Sequence, residues 1–131
     1  MKITVDTNVL VRAVVRDDKA QAEAAARVLR SANLVAVAAS SLCELVWVLR
    51  RRYELSTAEV AAAIRALTAA DNVETDRPAV AAGLAMLDAG GDFADGVIAY
   101  EGRWLGAETF VSFDKKAVEM LKGLGESARL L

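Results

Sequence analysis

Four acids stand where the surrounding pattern ends a strand or begins a helix: Asp6, Glu44, Asp95 and Asp114. Carboxylates in such positions serve as acid–base groups or as metal ligands. The rest of the composition narrows that choice. The chain has no histidine and a single cysteine, Cys43. Ser-His-Asp and Cys-His nucleophilic catalysis, His-bearing zinc sites and thiolate cages are thereby excluded. A metal here must be held by oxygen, which points to Mg²⁺ or Mn²⁺.

The elements that must position these acids alternate between strand and helix. Lys2–Val5 reads as a first strand, closed by Asp6, with a helix over Thr7–Val15. Lys19–Ser31 has apolar residues at helical spacing, and the continuous apolar run Leu34–Ala38 reads as a fully buried strand. Helices follow over Ser41–Tyr53 and Ser56–Ala70, the second opened by a Ser56–Glu59 capping-box pattern. Asn72–Thr75 suits a short strand. Asp76-Arg77-Pro78 starts a helix that Gly90-Gly91 ends near Ala89. The remainder reads as a helix over Phe93–Leu105, a strand over Thr109–Ser112, a helix over Asp114–Leu121 and an edge strand over Ala128–Leu131. Strand–helix alternation implies parallel pairing through βαβ crossovers, in a single domain over residues 1–131.

In such sheets ligands bind at the carboxyl ends of strands, which is where Asp6 and Asp114 fall. Glu44 and Asp95 fall in the first turns of helices, where the dipole favours the ionised form. Each acid also has a purely structural reading. Asp6, Asp92 and Asp114 suit N-caps, Asp95 can assist from a first turn, and Ser41–Glu44 suits a capping box. Taken together the acids are harder to explain that way, because four carboxylates at one sheet edge repel one another unless cations neutralise them.

Composition sets further bounds. Hydrophobic residues make up 55% of the 131, which leaves apolar surface for a partner or reflects Ala-rich helices. The net charge of −2 is opposite to the basic balance usual in nucleic-acid binders. The lone cysteine, the absence of a signal-like N-terminus and the lack of a ~20-residue apolar stretch suit a cytoplasmic protein with no membrane association. Arg50-Arg51-Arg52 suits a helix C-terminus. Trp47 and Trp104 read as core or dimer-interface residues, and Cys43 as a buried small hydrophobe.

Four segments, in order, resemble the motifs of PIN-domain nucleases: Val5-Asp6-Thr7-Asn8-Val9-Leu10-Val11-Arg12, Ser41-Leu42-Cys43-Glu44-Leu45-Val46-Trp47-Val48-Leu49, Asp92-Phe93-Ala94-Asp95-Gly96-Val97-Ile98-Ala99 and Thr109-Phe110-Val111-Ser112-Phe113-Asp114-Lys115-Lys116-Ala117. The chain is most similar to the VapC or FitB-like toxin branch. The resemblance implies a three-layer α/β/α sandwich around a parallel sheet of four or five strands. It implies that Asp6, Glu44, Asp95 and Asp114 are catalytic and hold the metal. Asn8 and Ser112 would give hydrogen-bonding support, and Asp92 would be a peripheral ligand or a cap. Gly96 stands where an alanine is more usual, a departure expected to be silent. The implied partners are an RNA substrate, a VapB-like antitoxin and a second copy in a homodimer.

The chemistry then expected is hydrolysis of RNA by in-line attack of water, leaving a 5′-phosphate and a 3′-hydroxyl, with Mg²⁺ (or Mn²⁺) supplying activation and charge relief. Such a site repels RNA when empty and attracts phosphate when loaded. Arg12, Arg16, Lys115 and Lys116, near the motif ends, are candidate RNA contacts; Lys115 and Lys116 equally suit a solvated helix face. The competing readings are a non-catalytic, partner-binding PIN-like module and a Mg²⁺-dependent phosphohydrolase of small phosphate esters.

Overall fold

The computed structural model describes residues 1–131, which form two compact units, Met1–Thr75 and Asp76–Leu131. The first unit contains β1 (Lys2–Thr4), α1 (Thr7–Val15), α2 (Lys19–Ser31), β2 (Leu34–Ala36), α3 (Ala39–Arg51), α4 (Thr57–Ala69) and β3 (Val73–Glu74). The second contains α5 (Arg77–Asp88), α6 (Phe93–Trp104), β4 (Phe110–Ser112), α7 (Lys115–Gly123) and β5 (Ala128–Leu130). Every strand pair is parallel. β2 lies between β1 and β3, with Val35 opposite both Ile3 and Val73. In the second unit β4 pairs with β5, Val111 opposite Arg129. The α/β class and the parallel pairing follow the sequence reading, and the hydrogen-bonded ladders divide the five strands into sheets of three and two.

Local chemistry explains most boundaries. Ser56 accepts from the Glu59 amide while the Glu59 carboxylate accepts from the Ser56 amide, so α4 opens on the capping box read from the sequence. Asp76 caps α5, with Pro78 in its first turn, where a missing N–H costs nothing. α5 stops in a Schellman turn: Gly90 N–H bonds the Leu87 carbonyl and Gly91 N–H the Met86 carbonyl, with Gly90 at φ +95°. Arg50 donates to the Leu55 carbonyl just beyond α3, so part of the arginine run closes the helix end.

The strand over 34–38 is shorter than expected. β2 ends at Ala36; Val35 and Val37 are buried, Leu34 and Ala36 only half-buried, and Ala38 is exposed. In the first unit Leu10, Leu42, Leu45, Leu49 and Ile64 are fully buried. In the second, Met86, Ala99, Val118, Leu121 and Ala128 form one apolar cluster, with Phe110 and Met120 against it.

The helix pair α5–α6 packs at unusually short range. A Cβ added at Gly96 would stand 2.3 Å from the Ala82 carbonyl oxygen and 2.8 Å from its carbon. One added at Gly83 would meet the Phe93 ring at 2.6 Å. Backbone cannot yield as a flexible side chain can, so the departure at Gly96 is not silent: it lets α6 approach α5 beside Asp95. Gly96→Ala is expected to cost roughly 1–3 kcal/mol of stability in a denaturant melt. Gly123→Ala is the matched control, because a Cβ there meets nothing within 4 Å.

Candidate carboxylate site

In the first unit the chemistry gathers where β1 and β2 hand over to helices. Asp6 occupies the N-cap position of α1, two residues beyond the end of β1, yet its side chain makes no capping hydrogen bond. Its exposed carboxylate is thus not spent on closing the helix. Thr7, the next residue, is a buried polar side chain. Its Oγ1 donates to Glu44 Oε2 at 3.1 Å, which ties the first turn of α1 to α3.

Glu44 itself lies in the second turn of α3, a correction to the first-turn placement read from the sequence. The helix begins at Ala39, with the Leu42 amide bonding the Ala38 carbonyl. Ala39 and Ser40 extend the helix toward its N-terminus, which leaves Ser41 inside it. The Ser41–Glu44 capping box therefore does not form, and Glu44 instead receives the Thr7 hydroxyl. Thr7 was not singled out from the sequence. A hydroxyl next to the first acid, at the start of a helix, was the available signal.

In the second unit the Schellman turn delivers the chain to Asp92, whose Oδ1 accepts from the Ala94 amide at 3.0 Å and caps α6. Asp95 follows in the first turn, as expected. Asp114 caps α7 through Oδ1, which accepts from the Ala117 amide at 3.2 Å. The Asp114 amide donates to Ser112 Oγ at 2.9 Å. Ser112 thus supports Asp114 through its backbone. The capping readings of Asp92 and Asp114 are realised, and each uses one carboxylate oxygen.

Asp95 is half-buried, and its carboxyl is pushed above the usual aspartate range, first by burial and then by the charges of Asp92 and Asp114. No group of three or more Asp, Glu, Cys or His side chains stands close enough together to enclose an ion. The donor set still suits a hard divalent cation. Every candidate ligand is a carboxylate, and the charges that act on Asp95 are negative.

The candidate cations divide. Arg12 pairs with Asp17 at 2.8 Å, and the Tyr53 hydroxyl donates to the other oxygen of Asp17. Burial works to raise the Asp17 carboxyl, but the Arg12 hydrogen bond and charge carry it below its ordinary value. Arg12 is therefore committed to holding α1 to its following turn. Arg16 is exposed, in left-handed backbone at the end of α1, and Asn8 lines an open groove with Arg12 and Gln21. Lys115 and Lys116 are exposed in the first turn of α7, and Lys115 lies 3.9 Å from Glu119. Trp47 and Trp104 are not core residues: they are 57% and 81% exposed, each on the outer side of a helix whose other side is buried. Cys43 is half-buried rather than buried.

A model of the PIN-domain family matches residues 3–121, a span that includes all four acids. Comparison with curated proteins finds no match. No helix is long and apolar enough to cross a membrane.

The electrostatics of Asp95 set a pH dependence. A carboxyl raised in the folded state favours folding at low pH, and that advantage is lost as pH rises through its folded value. In chelator, Asp95→Asn is expected to melt above wild type at neutral pH. The gap should close below the ordinary aspartate range, where both side chains are neutral. Thermal melts from pH 3 to 8 check this, and a gap independent of pH contradicts it.

Proposed function

We propose a function from one established fact: the chain belongs to the PIN-domain family. PIN domains are generally metal-dependent nucleases. We infer that this one is a Mg²⁺-dependent endoribonuclease, with Asp6, Glu44, Asp95 and Asp114 as its working carboxylates. The observation that carries the reading is Asp95, half-buried and raised by burial and by the charges of Asp92 and Asp114. A protein gains nothing in stability from that arrangement, whereas a divalent cation would neutralise it.

Asp6 and Glu44 of the first unit and Asp95 and Asp114 of the second are the proposed ligands, and a bound divalent ion would supply an activated water and charge relief at phosphorus. The chain's own residues prepare for it. Thr7 fixes one oxygen of Glu44. Asp6 keeps its side chain out of the α1 cap. Ser112 sets the backbone of Asp114, and Asp92 holds the first turn of α6 that carries Asp95. Water attacking in line leaves a 5′-phosphate and a 3′-hydroxyl, and no histidine is needed to activate a ribose hydroxyl.

The finer assignment is the toxin of a VapBC-type pair, held in check by a separately encoded VapB-like antitoxin and assembled as a homodimer. It rests on the resemblance of the Glu44–Leu49 segment to that branch. The exposed Trp47 and Trp104 leave apolar surface for such contacts.

The test is incubation of total cellular RNA with the purified chain. Wild type with Mg²⁺ should give discrete fragments bearing 5′-phosphates, and chelator should abolish them. Asp6→Asn and Asp95→Asn should each slow cleavage by about 100-fold or more, and Thr7→Val by roughly 10- to 100-fold, the usual loss when a ligand's hydrogen-bonding partner is removed. A folded, Mg²⁺-supplied wild type that cuts no RNA contradicts the nuclease reading and favours a binding module. Hydrolysis of a generic phosphate ester without RNA cleavage favours the phosphohydrolase.

A further inference from the structure

Phe113 is a large apolar side chain that the fold holds in water. It is 82% exposed, between Ser112 at the end of β4 and Asp114 at the cap of α7. Its backbone is braced on both sides. The Ser112 carbonyl accepts from the Leu131 amide at 2.9 Å, Ser112 Oγ accepts from the Asp114 amide at 2.9 Å, and Asp114 Oδ1 accepts from the Ala117 amide at 3.2 Å. The ring is therefore presented by an ordered turn. Ser112, Asp114 and the exposed cations Lys115 and Lys116 adjoin it in the chain, while Leu130 and Leu131, exposed at the end of β5, run beside Ser112.

We propose that Phe113 is a base-stacking platform that seats an unpaired RNA base beside Asp114. This rests on the ribonuclease reading and adds to it a residue that positions substrate. Three observations support it. An aromatic face accepts any base, and each stacked base adds appreciable affinity. The two lysines that follow offer charge for the adjoining phosphates, so ring and cations make the pairing that single-stranded nucleic acid requires. Because Phe113 and Asp114 are chain neighbours, with Cα atoms ~3.8 Å apart, a base stacked on the ring lies within a nucleotide's reach of the Asp114 turn. Val111, Leu130 and Leu131 are also exposed in this corner of the second unit, but Lys115 and Lys116 directly after the ring favour phosphates over the charge-depleted core of a protein interface. Stacking needs an exposed base face, so the contact selects unpaired over paired RNA.

The test uses the full chain carrying Asp6→Asn to block cleavage, with Mg²⁺, and two probes: a fluorescent single-stranded oligoribonucleotide and its duplex. Phe113→Ala and Phe113→Leu should weaken single-strand binding by roughly 5- to 100-fold, the range expected for one lost stack. Duplex binding should be unchanged. Phe113→Trp should restore affinity, and its added fluorescence should be quenched by the single strand. Circular dichroism melts confirm that each variant is folded. If the parent binds the strand and Phe113→Leu binds it equally, the stacking role is overturned and the ring is left to a protein contact. If the folded parent binds no RNA and folded, Mg²⁺-supplied wild type cuts none, the ribonuclease reading fails and the stacking role fails with it.

Discussion

A carboxylate drawn partly out of water beside two other carboxylates is an unfavourable group, and the second unit is arranged around one. Asp95 feels burial first and the charges of Asp92 and Asp114 next. The elements that impose this are specific. Gly90 and Gly91 turn the chain out of α5, Asp92 restarts it as α6, and Gly96 lets α6 press against the Ala82 carbonyl. A bulkier residue at Gly96 would relieve the crowding only by moving the helix that carries Asp95. The close helix contact at Gly96 thus fixes the position of the helix turn that carries the raised carboxyl.

The same device recurs in simpler form elsewhere. An acid follows a parallel strand, and a neighbouring hydroxyl fixes the structure beside it. Thr7 bonds the Glu44 carboxylate directly, while Ser112 bonds the amide of Asp114. These hydroxyls lower the cost of holding carboxylates in place, but they cannot remove the charge. With the carboxylates ionised, a bound cation does that, and the chain has no histidine and no thiolate cluster to recruit a softer one. Arg12, the basic residue nearest the first motif's end, is already satisfied by Asp17.

The sequence made some of this legible and hid the rest for physical reasons. α1 and α2 have the bounds their spacing predicts: α1 stops at Arg16 in left-handed backbone, and α2 starts on the Asp18 cap and stops where Ala32 turns extended. The Ser56 capping box and the Asp76–Pro78 helix start were also readable, since both are local hydrogen-bonding rules. Strand ends were not. β1 and β2 each stop earlier than their apolar runs, because pairing depends on a neighbouring strand and not on hydrophobicity. The placement of Glu44 failed for a related reason: Ser41 looked like a cap, yet Ala38 begins the helix without any side-chain bond. Trp47 and Trp104 show the limit of composition, which counts apolar side chains but not the side of the helix they occupy. The acids were found by type and position. The partners that fix them, Thr7 above all, emerge only from three-dimensional contact.

The central claim is that the raised carboxyl of Asp95 belongs to a divalent-cation site. The most direct measurement is calorimetric titration of the metal-free chain with Mg²⁺ and Mn²⁺, comparing wild type with Asp95→Asn and with Glu126→Gln, whose carboxylate is paired with Arg103. The account predicts saturable binding by wild type, affinity lowered by about 10-fold or more in Asp95→Asn, and no change in Glu126→Gln. Wild type that binds neither ion, or Asp95→Asn that binds as wild type does, would contradict it.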